Sequence, residues 1–521
     1  MRRTFFVLLA SGVSLIPTPV LSEPPRNSEA HVVFVVWDGM RPDFVTEKGT
    51  PTLWKLAHEG VTFHRHHSVY PTSTNTNGAI FATGMHPNRS GILANNEYRP
   101  LINPWKAVDT GEAETIAKGD ATSGGKYLTV PTVAELVRAA GGRTAVSGAK
   151  SVALLLDRHA EWTTVVTKKS ATIFAAAPMP ALIREQTEQL LGPFLVEDNK
   201  SNAERSAYAT RTLTEVLWKE GVPAFSAVWL SDPDMSQHDT WPGSDLALSA
   251  IQKCDRDLAS VLNALIKNNA RDTTDVFIVS DHGFSTVERT VDLAAKLREA
   301  GFDAVTTFKQ PPKRGQVLVV GVGGTVLFYV IEHDREVIAR VTSWLQQTDS
   351  SAVVFTRAPG EGTFLLQTIN ANTANAPDVM AALRWSARPN QAGVPGAIIA
   401  DSARAATKGS HASIGSFDVH NALIAAGPHF RRDAVDEAPT GNIDLAATIL
   451  HILGIPPAQR LDGRVLREAM TEGDSGLPEV LMETVEASRS FPAGQWHQRL
   501  RLSRVGRSTY LDAGEGGFEP K

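Results

Sequence analysis

The 521-residue chain contains one cysteine, Cys254, so no intramolecular disulfide can form. That cysteine lies in AIQKCDRDLASVLNALI, a helical pattern, and reads as a buried thiol rather than a nucleophile. Beyond the N-terminal segment no stretch is long and apolar enough to span a bilayer. No run of Lys or Arg is interleaved with aromatics, and the net charge of −5 is dispersed. This excludes a basic face for polymeric nucleic acid as a partner. There is no fixed-period repeat and no low-complexity run. With 42% hydrophobic and 21% charged residues, the composition is that of an ordinary globular protein. Such a fold has to stand on its core and, as the motifs below suggest, on metal.

What is present begins with Met1-Arg2-Arg3, a mostly apolar stretch from Phe5 to Val20, and then Ser22-Glu23-Pro24-Pro25. This is the order of a secretory signal, expected to span 1–22, with the product exported to a periplasm or secreted. Pro17 and Pro19 interrupt a stretch already too short for an anchor, so no integral span is expected after cleavage. Arg2-Arg3-Thr4-Phe5 has part of a twin-arginine look, but paired Arg is also common in ordinary signals, and both routes stay open.

The length exceeds what one core usually fills, which predicts one large domain bearing a smaller inserted cap. HVVFVVWDGM is a continuous apolar run ending in Asp38-Gly39, as in a buried parallel strand delivering a polar residue at its C-terminal end. The figure recurs in TAVSGAK, AFSAVWLSDPD, DVFIVSDHG and NALIAAGP, with helical patterns such as TPTLWKLAHEG, TVAELVRAAG and Leu246 to Ile266 between them. The expected fold is α/β, a doubly wound, mostly parallel sheet between helices, with an inserted α+β cap. The boundaries read as core 29–289, cap 290–390, core 391–483 and a weakly periodic, partly irregular tail over 484–521.

Five polar clusters fall at strand ends or helix starts. Asp38, followed by Gly39, is either a cap or a ligand facing a crevice. The segment Tyr70–Gly84 carries a hydroxyl and amide cluster leading into a small-residue helix, whose N-terminus would present free N–H groups to an anion. Thr74 could attack phosphorus there, whereas capping explains only one hydroxyl of the cluster. Asp234 and His238, four apart, would share one helical face and form half a metal site. Asp281-His282 closes a core strand, where buried charge is costly without a cation. His411 lies in the loop GSHAS; its rival His420 reads as packed or solvated.

Taken in order, Asp38, Thr74, Asp234, His238, Asp281, His282 and His411 resemble the alkaline phosphatase superfamily pattern. The chain resembles the type I phosphodiesterase/nucleotide pyrophosphatase group from about Val32 to Gly454. TPTLWKLAHEGVTF, ATGMHPNRSGILANN and GNIDLAATILHILGIPP belong to the likeness. The resemblance implies two divalent metal ions, of which zinc suits the mixed ligands, while manganese or iron stay open. Asp38, Thr74, Asp281 and His282 match the ion that activates the nucleophile. Asp234, His238 and His411 match the ion that stabilises the leaving oxygen and activates water. Thr74 would form a covalent intermediate, with net retention at phosphorus, and Asn77 would hold a phosphate oxygen. The substrate would be a small phosphodiester or nucleotide.

Thr74-Asn75-Thr76-Asn77, Gln237-His238 and Gly148-Ala149-Lys150 are also similar to phosphonoacetate hydrolases. That likeness implies contact between Lys150 and a substrate anion; the alternative is an ordinary ion pair with Asp157. Phosphonate or phosphomonoester hydrolysis is therefore the second reading. Tyr98, Phe81 and Trp241 are candidates to stack a base, each more readily explained as packing.

Overall fold

The computed structural model describes residues 29–157, 170–174, 181–195, 202–473 and 476–521; the expected signal at 1–22 lies outside them. The eight-stranded central sheet runs Ala434–Asp436, Val61–Phe63, Leu423–Ala426, Thr274–Val279, His31–Trp37, Phe225–Leu230, Thr144–Gly148, Ser170–Phe174. The last five strands of that order are parallel neighbours. The reason for the unbroken apolar runs is visible in His31–Trp37. Val32, Phe34 and Val36 pack into one helical layer, with the helices Val133–Ala139 and Asn442–Ile452. Val33, Val35 and Trp37 pack into the other, with Asp245–Lys267 and Pro51–Glu59. Each such side chain contributes about 1.5–3 kcal/mol on burial, so both faces of the strand must be apolar.

NALIAAGP departs from the expected parallel figure: Leu423–Ala426 is antiparallel to Thr274–Val279. A strand buried on both faces is apolar whichever way it runs, so the pattern carries no direction. Helix ends follow local chemistry. Thr132 and Glu135 form a capping box, and Ser244 accepts the Ala247 N–H. Cys254, on the helix Asp245–Lys267, is buried, and burial followed by nearby Asp232 pushes its thiol well above the ordinary value. It is an inert core thiol, as expected.

The inserted region holds a six-stranded mixed sheet spanning residues 304–383, with the helices Leu293–Glu299 and Arg335–Leu345 against it. A four-stranded sheet beside it joins Ser285–Val291 to Trp385–Pro389, Pro395–Asp401 and Gly409–Ser410. Boundaries drawn at 290 and 390 fall inside this sheet. The C-terminal segment, expected to be partly irregular, is instead a three-stranded antiparallel sheet of Val480–Phe491, Gly494–Val505 and Ser508–Pro520. Its middle strand alternates buried and exposed residues and sets Trp496 and Leu500 into the cap core. Gln498 pairs with both backbone groups of Val354, which fixes the sheet to the cap.

Candidate metal centre

The strand order explains why residues far apart in sequence meet. Thr274–Val279, His31–Trp37, Phe225–Leu230 and Thr144–Gly148 are consecutive neighbours, so the residues just past their C-terminal ends converge: Asp281, Asp38, Asp234 and Lys150. Gly39 makes the approach possible. It sits at φ +70°, and a Cβ there would fall 3.0 Å from the Asp234 Cβ and 2.9 Å from Phe284.

Three fully buried carboxylates result, each half-satisfied. The Asp38 Oδ2 accepts from Lys150 Nζ at 2.8 Å and Trp229 Nε1 at 2.8 Å, while Oδ1 has no hydrogen-bond partner. The Asp234 Oδ2 accepts from Lys150 Nζ at 2.7 Å, and its Oδ1 is also unpartnered. The Asp281 Oδ1 accepts from Gly39 N at 3.0 Å and His282 N at 3.1 Å, leaving Oδ2 unpartnered. An unmet buried carboxylate oxygen costs stability, so three in one place call for a cation.

The histidines supply the complement. Nδ1 of His238, His282 and His411 each lies 2.9 Å from a backbone carbonyl, of Gly409, Gly283 and Thr72 respectively. A carbonyl only accepts, so Nδ1 carries the hydrogen and Nε2 presents its lone pair, as metal-bound imidazoles do. The lone pairs face the orphan oxygens. His238 Nε2 and His411 Nε2 lie 3.3 and 3.5 Å from Asp234 Oδ1. His282 Nε2 lies 3.2 Å from Asp281 Oδ2 and 3.7 Å from Asp38 Oδ1. The ligand-type atoms fall into two groups, Asp234 with His238 and His411, and Asp38 with Asp281 and His282.

The electrostatics agree with a deficit of positive charge. Burial and then the Asp281 charge push Asp38 well above the ordinary carboxylate range, and burial raises Asp281. Burial also opposes ionisation of Asp234, but the Lys150 ammonium foremost overrides it and holds this carboxyl well below the usual range. Burial, reinforced by His282, holds His411 well below the ordinary imidazole value and therefore neutral. Despite its burial, Lys150 is kept charged by Asp234 and Asp38. One ammonium faces three carboxylates.

Thr74 opens the helix Thr74–Thr83, with Oγ1 at 3.3 Å from His282 Nε2. Its neighbours are committed elsewhere: Thr72 Oγ1 donates to the Ser413 carbonyl, and Thr76 Oγ1 donates to the Leu93 carbonyl and contacts Ser73 Oγ. Of that hydroxyl cluster Thr74 alone reaches the carboxylate and imidazole group. His411 owes its place to the cap hairpin, whose Gly324 N–H and Thr325 hydroxyl donate to the carbonyls of His411 and Ala412.

Two expectations change. The Asn77 amide is fully spent: Oδ1 accepts from Val69 N and Asn442 Nδ2, and Nδ2 donates to the Val69 and Ser73 carbonyls. It braces the loop before the helix and has no group left for a phosphate oxygen. Lys150 does not pair with Asp157, which Arg138 and Thr144 engage. Both its contacts go to Asp38 and Asp234, which turns their Oδ1 atoms toward the imidazoles. The residue that sequence reading missed is Asn95, half-buried, whose Oδ1 accepts the Asn75 N–H at 2.7 Å directly beside Thr74. Nothing in its spacing, 21 positions after Thr74, announces this. Phe81 is core, against Phe34 and Trp229, and Tyr98 packs edge-on to Phe308 and Tyr329.

Residues 32–396 match the family model of type I phosphodiesterase/nucleotide pyrophosphatase. Among curated proteins, the chain is 24% identical over 271 residues to a bis(5'-adenosyl)-triphosphatase of Xenopus laevis, covering 50% of this chain and 49% of that one. It is 22% identical over 271 residues to ectonucleotide pyrophosphatase/phosphodiesterase family member 3 of Mus musculus, covering 50% of this chain and 25% of the mouse protein. The chain thus spans between a quarter and half of these relatives. A solved structure of murine ectonucleotide pyrophosphatase/phosphodiesterase 5, an inactive variant in complex with AMP, superposes with a TM-score of 0.60 at 16% identity over 85% of this chain and all of that one. The human counterpart gives 0.58 at 18% identity, with the same coverage. These likenesses confirm the doubly wound fold with its insertion. The chain belongs to the type I phosphodiesterase/nucleotide pyrophosphatase family.

Proposed function

We propose that the chain is an exported hydrolase of phosphodiesters or nucleotide pyrophosphate bonds that works through a covalent intermediate on Thr74. The observation that carries this reading is the convergence of three orphan carboxylate oxygens and three Nε2 lone pairs beside a single uncommitted threonine hydroxyl. Asp38, Asp281 and His282, with Thr74, would hold one divalent cation, and Asp234, His238 and His411 a second. The mixture of carboxylate and imidazole suits zinc. When bound, such ions would supply Lewis-acid stabilisation of charge on the attacking and departing oxygens.

The chain's own residues provide the rest. Thr74 Oγ1 forms a bond to phosphorus as the ester bond to the leaving oxygen breaks, and that oxygen departs with its electron pair and takes a proton. Water then attacks phosphorus and Oγ1 leaves, regaining its proton. Two displacements give net retention. The Asn75 N–H holds Asn95 Oδ1, which would leave the Asn95 Nδ2 to donate to a non-bridging oxygen. Lys150 acts as a positioning residue for Asp38 and Asp234.

The names of the relatives and the AMP complex of the murine protein support a nucleotide-containing substrate. No observation favours the phosphonate reading, because Lys150 is committed to carboxylates. Export is supported by the pattern of residues 1–22, and among the described residues no helix is long and apolar enough to cross a membrane. Purified protein should hydrolyse the nitrophenyl ester of thymidine monophosphate, and chelation or Thr74→Ala should abolish this. Full activity in Thr74→Ala would overturn the mechanism.

A further inference from the structure

A second meeting of imidazole and carboxylate lies where the C-terminal sheet closes on the core. His67, His420 and Asp512 offer ligand-type atoms all within 4.8 Å of one another. His67 belongs to the short strand His66–His67, which pairs with Thr440–Gly441, and His420 faces it across a backbone bridge with ring centroids 4.5 Å apart. Asp512 comes from the last strand, Ser508–Pro520. Three separate parts of the chain therefore bring one group each.

The hydrogen bonds aim these groups at one another. His67 Nδ1 lies 2.8 Å from the Thr440 carbonyl, which can only accept, so Nδ1 holds the hydrogen. Nε2 of the same ring faces Asp512 Oδ1, 3.1 Å away. The Ser503 hydroxyl lies 2.8 and 2.7 Å from the two Asp512 oxygens but has one hydrogen to give, and the Arg65 guanidinium stands 3.5 Å from Oδ1. His420 adds a second imidazole, its ring centroid 4.5 Å from that of His67. The arrangement repeats that beside Thr74: an imidazole fixed through Nδ1 to a carbonyl, with Nε2 turned to a carboxylate oxygen. A cavity of about 40 Å³ borders His67 and Tyr510.

We propose that His67, His420 and Asp512 form a third cation site, for a zinc-type divalent ion, that fastens the C-terminal sheet to the core. Two imidazoles and one carboxylate are a borderline donor set, which favours such ions over magnesium or calcium, and solvent would complete the coordination. None of the three residues takes part in the chemistry at Thr74, so the role is structural.

The test strips full-length protein with a chelator, reloads it with zinc, removes free metal by gel filtration and counts zinc per chain. Asp512→Asn and His420→Gln should each retain one equivalent fewer than the wild type while hydrolysing the aryl diester at the wild-type rate. Asp281→Asn should lose activity yet keep the equivalent that those two variants lose. Should Asp512→Asn fold poorly, His420→Gln decides. Equal zinc content in the wild type and the folded variants overturns the proposal and leaves His67 and Asp512 as an ordinary ion pair.

Discussion

Asp281 and Asp444 are both wholly buried aspartates, yet they sit in opposite situations. Asp444 is answered on every side: Oδ2 accepts from Gly441 N at 2.9 Å and the Tyr510 hydroxyl at 2.8 Å, and Oδ1 accepts from Arg464 N at 2.8 Å. Arg464 is in turn held by Glu468 at 2.6 Å. Asp281, with Asp38 and Asp234, keeps an oxygen that nothing in the protein answers. Both networks are buried and charged, so burial and charge alone do not mark a site. What marks this one is the unanswered valence aimed at imidazole lone pairs. Asp436 completes the comparison. Its Oδ2 is also unpartnered, but among the described residues no group of candidate metal ligands includes it, and burial pushes its carboxyl up to about 6. There, below about pH 6, a proton fills the vacancy that a metal would fill beside Thr74.

The largest expected contrast is between Asp281→Asn and Asp444→Asn. Asp281→Asn should lower kcat/KM by about 10³-fold or more and abolish the rise in melting temperature on adding zinc. Asp444→Asn should leave kcat/KM within about twofold, because its network touches no reacting atom. It should nevertheless cost about 1–3 kcal/mol in denaturant unfolding, as hydrogen bonds to a buried carboxylate are lost. A loss of activity in Asp444→Asn without a loss of stability would break the distinction.

Next in size is Lys150→Met. With Asp38 and Asp234 no longer oriented through their Oδ2 atoms, zinc affinity measured by competition with a chelator should fall about 10–100-fold. At saturating zinc much of the rate should return. If Lys150 instead met a substrate anion, KM would rise and zinc affinity would not change.

The smallest effect sharpens the proton-filled case. The folded-state value of Asp436 lies above its ordinary value of 3.8, so folding favours the protonated carboxyl. Wild-type stability should therefore fall as the pH rises from about 4 to about 6 and level off above that. Asp436→Asn removes this dependence. It should be more stable than the wild type above pH 6, with the advantage gone below pH 4. Thermal melts of both proteins across that range would decide, and an advantage that persists at low pH would refute the assignment.

Much of this was readable in the sequence because buried parallel strands write themselves as apolar runs, and their C-terminal polar residues mark the crevice. Asp38, Asp234 and Asp281 stand out for that reason. The direction of Leu423–Ala426 was not readable, since burial on both faces erases it. The C-terminal sheet escaped because only its middle strand alternates buried and exposed residues along most of its length; Val480–Phe491 is largely exposed, and GEGGFEP in Ser508–Pro520 is rich in glycine. Asn77 and Asn95 show the limit most clearly. Proximity in sequence favoured Asn77, but hydrogen bonds from the neighbouring loop and from Asn442 use up its amide. Asn95 reaches Thr74 only through the fold, and no local pattern encodes that.

The central claim is that Thr74 takes the phosphoryl group before water does. The measurement that meets it most directly is the stereochemical course of hydrolysis of a chiral phosphorothioate diester in isotopically labelled water. Two displacements through Thr74 predict net retention at phosphorus. Net inversion would mean that water attacks the substrate directly, and would contradict the account.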